Sequence, residues 1–106
     1  MGRSNSHKFT AEQNQLAAMA KAMAHPARIA IIQHLMKSGS CVCGDIVDKL
    51  PLSQSTISQH LKAMKKAGII QGNVEGTFTC YCLDTGCCSG LKASFNKLFS
   101  GLKNCC

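Results

Sequence analysis

The stretch SQSTISQHLKAMKKAG, residues 53–68, constrains this chain more than any other. Ser53 is a residue type that caps helix N-termini, and Gly68 is the type that closes a helix in a left-handed turn. Between them Ile57, Leu61 and Met64 fall at helical spacing and form one apolar stripe. On a wheel of ~100° per residue, Ser55, Gln59, Lys62 and Lys66 lie opposite that stripe, with Thr56 and Ser58 on the flanks. The outer face begins with hydroxyls and an amide and ends with cations. That gradient suits a helix that enters a DNA major groove by its N-terminus. Gln59 matches an adenine edge, Ser55, Thr56 and Ser58 match base or phosphate oxygens, and Lys62, Lys65 and Lys66 match phosphate. An ordinary solvated face uses the same residue types, so this helix alone leaves both readings open.

The flanking sequence supplies the rest of a small fold. Thr10 with Gln13 makes a capping box, so a first helix starts near Ala11, with Leu16, Met19, Ala20 and Met23 on one face. Pro26 suits the first turn of a second helix, which carries Ile29, Ile32 and Met36 inward and stops near Ser38-Gly39. A short third helix is expected from about Gly44 to Leu50, ended by Pro51. The 53–68 helix is the fourth. Ile69, Ile70 and Val74, then Phe78, Cys80 and Cys82, read as two strands joined through Glu75-Gly76. Leu91, Phe95, Leu98, Phe99 and Leu102 mark a fifth helix, about 86–104. Residues 1–8 read as a flexible arm and 9–106 as one domain. The order is helix-helix-helix-helix-strand-strand-helix: mainly α with a β-hairpin wing, a winged helix-turn-helix.

Composition agrees. Twelve Lys and Arg against five Asp and Glu give the 106 residues a net charge of +7, which points to a polyanionic partner such as nucleic acid. The N-terminus MGRSNSHKF is polar and lacks the apolar core of a signal peptide, and no apolar run approaches ~18 residues. The expectation is a cytoplasmic chain without a membrane partner. In a reducing compartment the eight cysteines are expected to bind a soft metal or do redox work rather than staple the fold.

MAHPARIAIIQHL, GDIVDKLPLSQSTISQHLKAMKKAGII and the GNVEGTFTCYCL hairpin resemble the ArsR/SmtB family of metal- and metalloid-responsive repressors, over roughly residues 12–83. The resemblance implies a homodimer joined through terminal helices, bound to a palindromic double-stranded DNA operator and released by an inducer. It carries the recognition residues over to Ser53, Gln54, Ser55, Thr56, Ser58, Gln59, His60 and Lys62. The wing tip departs from the family: Asn73 to Thr77 includes Glu75 and neither Arg nor Lys, so contact between wing and DNA does not carry over.

Four cysteine pairs compete for the inducer. Cys41-Val42-Cys43 resembles the family's arsenic run on the third helix, but it sits one residue upstream and lacks a third cysteine. Cys80 and Cys82 share one face of a strand and read as small apolar fillers. Cys87 and Cys88 open the last helix, and Cys105 and Cys106 close it. A helix from 87 to 106 spans roughly 27–29 Å, so one chain cannot unite those two pairs. A two-fold axis near Asn96–Lys97 would set Cys87 against a partner's Cys106 and Cys88 against its Cys105. That arrangement makes Cys87, Cys88, Cys105 and Cys106 the expected metal site, with Cys41 and Cys43 as the alternative. The helix dipole is expected to favour thiolates at Cys87 and Cys88.

Thiolates select thiophilic species. The family's zinc site on the last helix needs imidazole and carboxylate, and no His follows His60 and no acid follows Asp84. The resemblance makes trivalent arsenic, As(III), the expected inducer, with Sb(III) or a soft metal such as cadmium as variants. A repressor that senses thiol redox state or persulfide is the rival. An enzyme finds no support: His25, His34 and His60 fall within helical patterns, and no Cys-His-acid set is evident. The operator sequence, the cysteine set that acts and the role of Cys80 and Cys82 stay open at this level.

Overall fold

The computed structural model describes residues 7–39, 41–43, 50–75 and 78–103. Its elements are α1 (Ala11–Met23), α2 (Pro26–Ser38), β1 (Val42–Cys43), α3 (Gln54–Ala67), β2 (Ile70–Glu75), β3 (Phe78–Leu83) and α4 (Thr85–Leu98). The described residues hold four helices rather than the five expected, because the short helix over 44–50 falls almost wholly outside them. Most of the N-terminal arm, the turn at 76–77 and residues 104–106 also lie outside.

Local chemistry sets most element ends. Thr10 Oγ1 accepts from the Gln13 N–H and Gln13 Oε1 accepts from the Thr10 N–H, both at 3.0 Å, closing the capping box. His25 Nδ1 accepts the Ala27 N–H at 3.0 Å, so an imidazole caps α2 ahead of Pro26. Gly39 and Gly68 end α2 and α3 at φ 68° and 88°, where a β-carbon would be strained.

β2 and β3 form the expected antiparallel hairpin, from Ile70 opposite Leu83 to Glu75 opposite Phe78. β1 was not expected. It pairs antiparallel with the other edge of β3, Val42 opposite Tyr81 and Cys43 opposite Cys80, giving a sheet ordered β1-β3-β2. A two-residue strand carries too little alternation to be read from sequence.

The core joins α2, α3 and the sheet through Ile31, Leu35, Val42, Ile57, Leu61, Met64, Ile69 and Ile70. Burying each large aliphatic side chain contributes about 1.5–3 kcal/mol before chain entropy is counted. The expected α3 stripe is buried as read. The α2 stripe is corrected: Ala27, Ile31 and Leu35 point inward, whereas Ile29 and Met36 are exposed and Ile32 is half-buried. α2 is apolar on several sides, so spacing alone admitted more than one stripe.

α1 and α4 contain no fully buried residue. They lie side by side, joined at one end by an exposed Lys97–Glu12 ion pair of 3.1 Å. α4 ends at Leu98, six residues short of expectation. Phe99 caps it, the Ser100 hydroxyl donates to the Lys97 carbonyl at 2.8 Å, and the chain turns at Gly101. The proposed two-fold register needed a helix continuing to residue 106, so it loses its geometric basis.

Candidate functional site

α3 presents its outer face as the wheel requires. Gln54, Ser55, Ser58, Gln59, Lys62, Lys65 and Lys66 are exposed, and Thr56 is half-buried. Ser53 caps the helix, its hydroxyl oxygen accepting from the Thr56 N–H at 3.3 Å. The same hydroxyl donates to Thr56 Oγ1 at 2.9 Å and lies 3.2 Å from Ser55 Oγ. Three hydroxyls thus gather at the positive end of the helix dipole, and three lysines stand along the rest of the face. That surface can hydrogen-bond base edges at one end and hold phosphates at the other. A side chain at Gly72 would meet the Tyr81 ring at 3.2 Å and Lys65 at 3.4 Å, so Gly72 makes room for the Lys65 stem to cross the hairpin.

His60 does not belong to this face. Three residues after Ile57, it sits on the inner side and is only 9 % exposed. Its Nδ1 accepts from Arg28 Nε at 2.9 Å, and its ring lies 4.4 Å from that of His25. Arg28 Nη1 also donates to the Ala22 carbonyl at 3.0 Å. The trio fastens α3 to the corner between α1 and α2. Burial, then the neighbouring His25 and Arg28, push the His60 pKa below its ordinary value. The sequence reading missed Arg28. The two histidines and the Arg three residues after His25 were visible, but nothing local pairs residues 28 and 60.

The cysteines fall differently from expectation. Extending the β1–β3 register one residue sets Cys41 opposite Cys82, and their sulfurs form a disulfide across a Cα–Cα distance of 4.3 Å. Cys41 is exposed and Cys82 half-buried. Cys80, 3 % exposed, is also disulfide-bonded. The expectation that these thiols would stay reduced, with Cys80 and Cys82 as fillers, is therefore corrected. The missed signal was the spacing itself: C-x-C at 41–43 and C-x-C at 80–82 match when two strands pair antiparallel. The side chain of Cys43, and all of Cys105 and Cys106, lie outside the described residues.

Cys87 and Cys88 are free, half-buried and packed against the core. Asp84 caps α4, its Oδ1 accepting the Cys87 N–H at 2.9 Å and its Oδ2 accepting from Gln71 Nε2 at 2.8 Å. These bonds, the Cys87 N–H foremost, lower the Asp84 pKa. Burial and the Asp84 charge raise the Cys87 pKa, and burial, Cys87 and Asp84 raise that of Cys88. The Cys88 thiol lies 3.8 Å from the Ile69 carbonyl as a weak donor. The expected dipole-assisted thiolates are corrected: burial first, and then charge at the same helix end, shift both thiols towards the protonated form. Among the described residues no three His, Cys, Asp or Glu side chains gather as a metal-holding group. No helix among them is long and apolar enough to cross a membrane.

Known proteins agree with this geometry. The profile of the bacterial regulatory protein, arsR family, matches residues 25–71. An uncharacterized HTH-type transcriptional regulator of Methanocaldococcus jannaschii is 47% identical over 62 residues, 58% of this chain and 68% of that protein. The HTH-type transcriptional repressor SmtB of Mycobacterium tuberculosis is 43% identical over 61 residues, 58% of this chain and 44% of its own length. A crystal structure described as a possible transcriptional regulator for arsenical resistance superposes with a TM-score of 0.66 at 27% identity, covering 77% of this chain and 84% of that one.

Proposed function

This chain belongs to the ArsR/SmtB family of helix-turn-helix transcriptional regulators, and from that premise we propose an operator-binding repressor governed by its cysteine sulfurs. Two protomers read a palindromic operator, each laying the Ser55, Ser58, Gln59 and Lys62 face of α3 in a major groove. Half-sites then lie roughly 34–36 Å apart. The protomers meet through α1 and α4, the helices that bury nothing fully, with exposed Leu98 at the end of α4 and exposed Phe99 and Leu102 just beyond it. Trivalent arsenic, or antimony, is the inducer. It lowers operator affinity by favouring the arrangement of protomers that misplaces the two α3 helices.

The observation that carries the sulfur half of this reading is the Cys41–Cys82 pair. Its two sulfurs sit within bonding reach on adjacent strands, and β1 leads directly into the segment before α3. Reduced, they supply two thiolates to a thiophilic centre, with Cys43 and Cys80 as backbone neighbours two register positions along. Cys87 and Cys88, held protonated, are poorer ligands than the expected site required. The disulfide itself favours the second reading, in which oxidation of the same pair is the signal. Operator binding by fluorescence anisotropy separates the two. Arsenite releasing the reduced protein supports the first; oxidation alone releasing it supports the second. Cys41→Ser/Cys82→Ser is expected to abolish the response. A response that survives this variant and disappears with Cys105→Ser/Cys106→Ser would overturn the site assignment.

A further inference from the structure

A cavity of about 330 Å³ opens beside the Cys41–Cys82 disulfide. Leu35 and Met36 of α2, Leu83 of β3 and Thr85 at the start of α4 form its walls, and both cysteines face it. None of its described lining residues is charged, although the chain carries +7 overall. Met36, 61 % exposed, leaves an apolar side chain standing at the rim. A disulfide bordering an uncharged, mostly apolar hollow of small-ligand size combines a reactive bond with a place to hold what reacts with it.

We propose that this cavity docks a small thiol bearing an apolar arm, which opens the disulfide by exchange at Cys41. The proposal rests on the sulfur-controlled repressor only for its regulatory meaning; the chemistry stands on the cavity and the bond. The thiol, as thiolate, attacks Cys41 Sγ, the sulfur of the exposed partner. A new sulfur–sulfur bond joins the ligand to Cys41, the Cys41–Cys82 bond breaks, and its electron pair leaves on Cys82 Sγ, which takes a proton from water. A second thiolate attacks the ligand's sulfur in the mixed disulfide and releases Cys41 as thiolate. In sum two thiols are oxidised to one disulfide and the protein's disulfide is reduced to two thiols. Leu35, Met36 and Leu83 select for the apolar arm. Cys80, disulfide-bonded and itself only 3 % exposed, is spared.

The test uses the full, oxidised chain. Benzyl mercaptan and 2-mercaptoethanol are compared, each normalised to its rate on a small exposed disulfide. Reactions are stopped with acid and alkylating agent and mapped by peptide mass spectrometry. Burial of the arm is expected to give benzyl mercaptan roughly a tenfold advantage, with the mixed disulfide on Cys41. Met36→Lys, at an exposed position that folding tolerates, is expected to erase most of that advantage. Equal normalised rates, first attack at Cys82, an advantage unchanged in Met36→Lys, or thiols already free in the protein purified without reductant would overturn the proposal. Operator anisotropy on the same samples keeps the two claims apart. Selective exchange at Cys41 with no change in DNA affinity refutes the reading in which oxidation of this pair is the signal, and leaves both arsenite control and the cavity assignment standing.

Discussion

Acidification should loosen the grip of the α1–α2 corner on α3, and His60 is the group responsible. Because Nδ1 accepts from Arg28 Nε, the neutral ring carries its proton on Nε2. A second proton must go to Nδ1, where it would face the Arg28 N–H and a guanidinium charge, with His25 alongside. Burial of the ring, then His25 and Arg28, thus hold the folded-state pKa below the ordinary 6.5, the value taken for the unfolded chain. The sign follows from proton counts. Below about pH 6.5 the unfolded chain binds a proton that the folded chain refuses, so the stabilisation is complete above that pH and is lost as pH falls towards the folded pKa. For one proton the loss between pH 7.5 and 5.5 is at most about 1.4 kcal/mol, the limit reached when the folded pKa lies well below the window. Urea unfolding at intervals across this range measures it. His60→Asn retains an acceptor near the Nδ1 position and cannot titrate, so its stability should fall less steeply. His7 and His34 are present in both proteins and cancel in the comparison, and His25, whose ring faces His60, is replaced by Asn in both. Parallel loss of stability in the two proteins would refute the reasoning.

Other consequences are equally direct. Gln59→Ala should cost about 1–3 kcal/mol of operator affinity and relax preference at one base pair, measured by anisotropy against single-base operator variants. Lys62→Ala or Lys66→Ala should weaken binding to all sequences alike, each reducing the slope of log affinity against log salt by about 0.9 per lost phosphate contact. Ile57→Ala, at a position with 0 % exposure, should cost about 2–5 kcal/mol in denaturant unfolding. Glu12→Ala removes an ion pair whose side chains are 63% and 72% exposed, and should change stability by less than about 1 kcal/mol in the same assay.

What could be read from the sequence was what local physics decides. The capping box at Thr10, Pro26 in a first helical turn, the glycines at 39 and 68, and the Ile57–Leu61–Met64 stripe each depend on residues within a few positions. The exposed face of α3 followed from that stripe by geometry. The fold family was legible because that helix and its turn carry a dense local signal. What escaped reading depends on distant partners. His60 looked like one more polar residue on a polar helix until Arg28, 32 positions away, claimed its Nδ1. β1 is two residues long and exists because β3 offers it an edge. Cys41 and Cys82, 41 residues apart, become neighbours only through that pairing. The length of α4 was overestimated because Leu102 continues the apolar spacing, while Ser100 and Gly101, which turn the chain, interrupt it without a proline.

Asp84 has a mechanical consequence. One of its carboxylate oxygens holds the first turn of α4 and the other holds Gln71 on β2, while its backbone N–H donates to the Ile69 carbonyl at 2.9 Å. The joint between hairpin and final helix is thus cross-braced at three points. A tilt imposed on α4 is transmitted to the β-ribbon as from a handle to a blade, so spectroscopic labels on the ribbon would register displacement that begins at the far helix.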